Sequence, residues 1–167
     1  MEERVSGIVS LETLRRLGYL PTEDRLRKGP VAIFECIEPI PCNVCVLSCP
    51  FEAVKMEKIT DLPKVDFDRC TGCTLCVAQC PGQAIFVVDA SQDGEEALLS
   101  LQYDMGEPPD PGDRVVLLDR EGNSVGEGKV VKVYKHKRSE AFVVTIAIPQ
   151  KLLMVARAFR KVGRGES

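Results

Sequence analysis

The sequence predicts an α+β protein. A small cysteine-rich unit with internal two-fold pseudo-symmetry comes first, followed by a β-rich module of SH3-like or barrel type that ends in a helix. Three observations carry this expectation. All eight cysteines fall between Cys36 and Cys80. The segment around the first four repeats itself after 31 residues. Beyond residue 112, β-branched stretches separated by short Gly- and Asn-containing turns take over, which is how short antiparallel strands are written.

The bulk numbers are those of a globular chain: 167 residues, 44% hydrophobic and 28% charged, enough for one domain or two small ones. Six Phe, three Tyr and no Trp leave little for a large aromatic core. A net charge of −3 argues against nucleic-acid binding, which needs a basic face. Glu2 and Glu3 stand where a signal peptide needs a basic start, and the longest apolar stretch, FVVTIAI at 142–148, is far too short for a bilayer. The expected location is cytoplasmic, and with no secretory signal the cysteines read as ligands rather than disulfides.

The elements follow in order. Residues 1–30 read as an arm. Ser10 can cap a short helix, LETLRRL, that Gly18 ends, with Leu11, Leu14 and Leu17 on one face. The next stretch, YLPTEDRLRKGP, reads as a polar connector. The arm either packs on its own domain or docks on a partner. Residues 31–90 form the cysteine unit, bounded by the strands VAIFEC (31–36) and AIFVVD (84–89). Residues 91–112 are a linker with one strand, LLSLQY. Residues 113–167 hold three strands, at 113–119, 124–135 and 140–149, and then the helical stretch KLLMVARAF.

The repeat aligns Cys42, Cys45 and Cys49 with Cys73, Cys76 and Cys80. Val46 falls on Val77, Pro50 on Pro81, Ala53 on Ala84 and Val54 on Ile85. The second run, CTGCTLCVAQCP (70–81), is C-x2-C-x2-C-x3-C-P, the run that holds a [4Fe–4S] cluster in bacterial ferredoxins. Its x2 steps wrap a tight loop so that three thiolates face one cube, and Gly72 relaxes the backbone there. The x3 step turns the fourth cysteine toward the other cluster. One cluster is therefore assigned Cys70, Cys73, Cys76 and Cys49, and the other Cys42, Cys45, Cys80 and Cys36. Zinc ribbons use separated pairs of C-x2-C and fit less well.

Cys36 is the irregular member. The first run, CIEPIPCNVCVLSCP (36–50), is C-x5-C-x2-C-x3-C-P, and the 31-residue shift puts Pro39, not Cys36, over Cys70. Two prolines in IEPIP favour extended backbone, which can return Cys36 to the open iron. Alternatively Cys36 ends a buried strand as a small apolar residue, and the first cluster is then [3Fe–4S].

Other motifs are weak. GNSVGEG (122–128) lacks the G-x-G-x-x-G order and reads as a hairpin turn. His136, the one histidine, and its neighbours Lys135, Lys137 and Arg138 read as a solvated loop, with an acidic docking partner as the sharper alternative. No catalytic residue and no substrate site of its own is expected.

The cysteine runs resemble those of two-cluster 2[4Fe–4S] ferredoxins over residues 31–90. With GPVAIFECIEPIPCNVCVLSCP, LPKVDFDRCTGCTLCVAQCPGQAIFVVD and DREGNSVGEGKVVKV taken together, residues 28–160 resemble the small ferredoxin-type subunits of FAD-dependent amino-acid and amine dehydrogenases. These are the enzymes of the proline, hydroxyproline, opine or sarcosine-oxidising kind. Members often read CNPC where this chain has Cys42-Asn43-Val44-Cys45, and the departure keeps both ligands. The resemblance implies a non-catalytic electron-transfer subunit of a hetero-oligomer, relaying electrons from a flavoprotein partner that holds the FAD to an acceptor. A free-standing ferredoxin, or an iron–sulfur protein whose clusters are structural or regulatory, are the alternatives.

Overall fold

The computed structural model describes residues 2–163. Three short helices open the chain: α1 (Glu2–Ser6), α2 (Leu11–Arg16) and α3 (Glu23–Arg27). The cysteine unit follows as β1 (Val31–Phe34), α4 (Val44–Ser48), β2 (Val54–Lys55), β3 (Lys64–Val65), α5 (Leu75–Gln79) and β4 (Ile85–Asp89). Then come β5 (Glu96–Tyr103), β6 (Arg114–Leu118), β7 (Ser124–Lys135), β8 (Phe142–Pro149), a 3-10 turn (Gln150–Leu152) and β9 (Ala158–Lys161).

Seven strands form one antiparallel sheet in the order β1-β4-β5-β8-β7-β6-β9, and β2 pairs with β3 separately. Strands β1 and β4 of the cysteine unit are thus hydrogen-bonded into the same sheet as the C-terminal strands through β4–β5. Both faces of the sheet are covered at β1 and β4, which is why β1 reads as an unbroken apolar run rather than an alternating one. Val31 and Ile33 face one core with Leu99, Ile146, Val115, Leu117 and Phe159. Ala32 and Phe34 face the other, with Val77, Ala78, Ile85, Val87 and the cysteine loops.

The sharing of one core by β1, β6 and β9 means that the sheet curls until its two ends approach. Side chains, not ladder hydrogen bonds, bridge them. Glu35, just past β1, meets Arg120 after β6 and Arg157 before β9, both at 2.6 Å.

The helix expected over KLLMVARAF does not form. Gln150–Leu152 make one 3-10 turn, turn structure runs on to residue 155, and Ala158–Lys161 extend as β9 along the otherwise unpaired edge of β6. Helix propensity is worth tenths of a kcal/mol per residue, about 0.7 at most for ordinary residues. Against it stand the ladder bonds that cover an open edge, the Arg157 N–H donated to Leu118 O at 2.9 Å, and Phe159 stacked on Tyr103 at 5.1 Å.

The arm packs on its own chain. Ser10 Oγ accepts from Thr13 N at 3.1 Å to cap α2, and Val9, Leu14 and Tyr19 are buried in the core on the cysteine side. The stretch expected to be a connector contains α3, capped by Thr22, whose Oγ1 accepts from Arg25 N at 3.2 Å.

Candidate metal centre

The internal repeat is visible atom by atom. Helices α4 and α5 start 31 residues apart, at Val44 and Leu75. After each, the last cysteine of the run accepts a backbone N–H four residues on: Ala53 N to Cys49 Sγ at 3.3 Å, and Ala84 N to Cys80 Sγ at 3.5 Å. The turn between donor and acceptor needs a left-handed residue, and the equivalent positions Glu52 and Gln83 supply it at φ 52° and 51°. Sulfur-directed amides of this kind stabilise charge on a thiolate and are a lever on cluster potential.

Two cavities open among these loops. One is lined by Cys36, Cys42, Cys45 and Cys80, together with Ile40, Pro63 and Ile85. The other is lined by Cys49, Cys70, Cys73 and Cys76, together with Ala32, Gly72 and Val54. The structure therefore brings the eight cysteines together in two sets of four, with Cys49 and Cys80 each crossing to the other run's cavity. Cys36 reaches the first cavity from the end of β1, three residues upstream of its place in the repeat. The buried ring of Phe34 lines both cavities and forms part of the wall between them.

The electrostatics follow the same grouping. Burial raises the Cys36 thiol, and the charges of Cys80 and Cys42 add to it. Burial and then Cys80, Cys36 and Cys42 push Cys45 up to about 11. Cys76 is raised by burial, then by Cys70, Cys73 and Cys49. Thiols in such surroundings stay protonated at neutral pH unless a cationic centre takes the thiolate, so metal loading is coupled to proton release.

The donor set fits cubes better than single ions. Four thiolates on one zinc, each at about 2.3 Å, would crowd into a site a few ångströms across. Among the described residues, no three His, Cys, Asp or Glu side chains converge closely enough to hold one ion. A cube instead needs four thiols spaced around a cavity on flexible, amide-rich loops. Gly72 meets the same requirement. It sits at φ +65°, and a Cβ there would lie 2.5 Å from Pro30 Cβ and 2.7 Å from its carbonyl carbon.

Residues outside the repeat brace both loops. Arg25 of α3 donates to four carbonyls near the second cavity: Nε to Phe67 O at 2.6 Å, Nη1 to Gly29 O at 3.1 Å, and Nη2 to Pro30 O at 3.1 Å and Cys70 O at 2.7 Å. Beside the first cavity, Glu35 accepts Arg120 Nε at 2.9 Å, Arg120 Nη2 at 2.6 Å and Arg157 Nε at 2.6 Å. Burial alone would raise the Glu35 carboxyl, but the Arg120 hydrogen bonds and the Arg157 charge outweigh it and hold the carboxyl below its ordinary range. Tyr19 donates its hydroxyl to Cys36 O at 3.2 Å. The reading of the motifs passed over all of these. Thr22 followed by two acids, a helix-start signal, could have found α3 and so Arg25. For Glu35 and Arg157 the sequence offers only lone charges in apolar surroundings, and Arg120 reads as one more charge in the polar turn DREGN.

Comparison with known proteins agrees with this chemistry. Residues 35–84 match the family described as a 4Fe-4S dicluster domain. Pyruvate synthase subunit PorD of Methanothermobacter marburgensis is 37% identical over 51 residues, covering 30% of this chain and 53% of that protein. The ferredoxin-type protein NapF of Haemophilus influenzae is 37% identical over 57 residues, 32% of each chain. One component of the Na(+)-translocating ferredoxin:NAD(+) oxidoreductase complex of Acetobacterium woodii is 37% identical over 51 residues, 30% of this chain and 15% of that protein. The chain thus spans at most about half the length of these relatives. No solved structure matches it. Residues 35–84 form a ferredoxin-type 4Fe-4S dicluster domain, a metal-binding unit of the electron-transfer kind.

Proposed function

We propose that this chain is the electron-carrying subunit of an oxidoreductase complex, relaying electrons from an FAD-dependent amino-acid or amine dehydrogenase to an acceptor. The observation that carries the reading is the pair of four-thiol cavities separated by a shared wall at Phe34. Cys36, Cys42, Cys45 and Cys80 hold one [4Fe–4S] cluster; Cys49, Cys70, Cys73 and Cys76 hold the other. When bound, the clusters supply one-electron steps between a two-electron flavin and its acceptor.

The chain's own residues ligate, bury and orient. The Ala32, Ala53 and Ala84 amides point at cysteine sulfurs, and Arg25 and Glu35 fix the loops that carry Cys70 and Cys36. The relatives named as parts of pyruvate synthase and of an oxidoreductase complex support a place in a hetero-oligomer. The flavoprotein donor rests on the resemblance of residues 28–160. Among the described residues no helix is long and apolar enough to cross a membrane.

The test is anaerobic affinity purification of the tagged chain from its native cells, followed by addition of proline, hydroxyproline, sarcosine or an opine. The expected result is a co-purified flavin spectrum and substrate-dependent appearance of the EPR signal of reduced clusters. A chain whose clusters dithionite cannot reduce would overturn the carrier reading. A reducible chain with no flavin partner would overturn the complex.

A further inference from the structure

Of the eight cysteines, Cys73 is the exposed one. Beside it stands the tip of the β7–β8 hairpin, from a part of the chain outside the matched family region. The Tyr134 hydroxyl lies 2.7 Å from Thr74 Oγ1, next in sequence to Cys73. Burial, and then the charges of Cys73 and Cys76, raise that hydroxyl against the opposing Thr74 hydrogen bond. Ser139 Oγ donates to Ala78 O of α5 at 2.7 Å, and Gln102 Nε2 of β5 donates to the same carbonyl at 3.4 Å. The tip is thus fastened against the loop and helix that carry Cys73 and Cys76.

Its outer side is basic. Lys132, Lys135, Lys137 and Arg138 are exposed, against one carboxylate, Glu140, which Lys135 meets at 3.6 Å. Residues 132–142 therefore carry +3, so the rest of a chain of net −3 carries −6. A cationic patch on an otherwise acidic protein concentrates field where it stands and steers anionic surfaces to that spot.

We infer that the Cys73 edge and the β7–β8 tip together form the chain's electron port, and that the partner docking there is a protein with an acidic face. This rests on the carrier reading and adds where electrons cross the surface and which surface chemistry meets them. An acidic face brought onto Lys132, Lys137 and Arg138 sets its redox group against the exposed thiolate of the second site. One electron then crosses per encounter, with no bond made and no proton moved.

The test uses the full, cluster-loaded chain and ferricyanide as the anionic probe. The protein is reduced with dithionite and desalted anaerobically. It is then mixed in stopped flow with less than one equivalent of ferricyanide, each ion taking one electron from the protein to become ferrocyanide. Hexaammineruthenium(III) serves as the cationic probe. At low ionic strength, Lys132→Glu/Lys137→Glu/Arg138→Glu should slow ferricyanide about tenfold or more and speed the cation. Both effects should fade as salt is added. Arg15→Glu/Lys151→Glu/Arg160→Glu, with the same change in net charge on exposed sites elsewhere, should move either rate less than about twofold. Equal effects of the two triples would overturn the inference, as would no effect of the first. A single-stranded oligonucleotide that bound the tip and blocked ferricyanide would reassign the patch to nucleic acid and overturn it too. If dithionite fails to reduce the protein, the carrier reading itself falls.

Discussion

Replacing Arg157 tests whether the C-terminal strands hold the first site's loop in place. The Arg157 side chain is 4% exposed and that of Glu35 7%. Besides the bond to Glu35, its Nη1 donates to Leu153 O at 2.9 Å and Ala156 O at 2.6 Å. Its guanidinium lies over the Phe86 ring at 5.0 Å. Arg157→Met fills similar volume but leaves Glu35 buried with Arg120 alone and strips donors from two carbonyls. Removing one member of a buried ion pair costs about 3–5 kcal/mol. Because Arg120 remains, about 3 kcal/mol is expected here, a large share of a net stability of about 5–15 kcal/mol. Glu35→Gln removes the stranded charge. The double variant Glu35→Gln/Arg157→Met should therefore lose less than the sum of the singles, by at least about 1 kcal/mol. Anaerobic guanidinium unfolding of the loaded chain, followed by far-UV circular dichroism, measures all three. An Arg157→Met loss under about 1 kcal/mol, or singles that simply add, would refute the reasoning.

Three further outcomes follow from the same contacts. Arg25→Lys keeps the charge but loses the planar fork that spans four carbonyls; iron should leave the Cys49/Cys70/Cys73/Cys76 site about tenfold faster under chelator challenge, with the other site unchanged by EPR. Gly72→Ala forces a side chain against Pro30 backbone at positive φ, a strain of about 1–3 kcal/mol before the collision is counted, and should remove roughly half of the bound iron. Hydrogen bonds from Ser10 and then Thr13 pull the Glu3 carboxyl down from 4.5 to about 2. Its contribution to holding α1 on α2 is therefore complete above 4.5 and lost as pH falls through about 2. The Ser10 amide resonance should titrate near 2, and Glu3→Gln should abolish that step.

The cysteine unit was legible because cluster chemistry constrains spacing. Three thiols on one loop, a fourth turned away and a proline to stop the helix leave a signature in sequence. The x3 step of each run turns its last cysteine away, and Cys49 and Cys80 each line the cavity of the other run. The strands β5 to β8 were legible from β-branched runs and turns.

What the sequence did not disclose depends on distant partners. KLLMVARAF has helical spacing, yet Phe159 and Arg157 are claimed by Tyr103 and Glu35, 56 and 122 residues away. The helix that carries Arg25 has a start signal at Thr22, but the clamp itself does not show in sequence, because its acceptors are backbone carbonyls whose positions only the fold supplies. Cys36 shows both sides. Its type and its neighbours' prolines suggested a displaced ligand, but the braces that bring it to the cavity, Tyr19 and the two arginines on Glu35, lie far along the chain.

The most direct test of the account is the iron and acid-labile sulfide content of the anaerobically purified full chain, measured beside Cys36→Ser with EPR after dithionite reduction. Two cubes require about eight irons and eight sulfides per chain, and Cys36→Ser should alter the signal of one site and spare the other. Stoichiometric zinc would contradict the account, as would about four irons or a Cys36→Ser protein identical to wild type in both measurements.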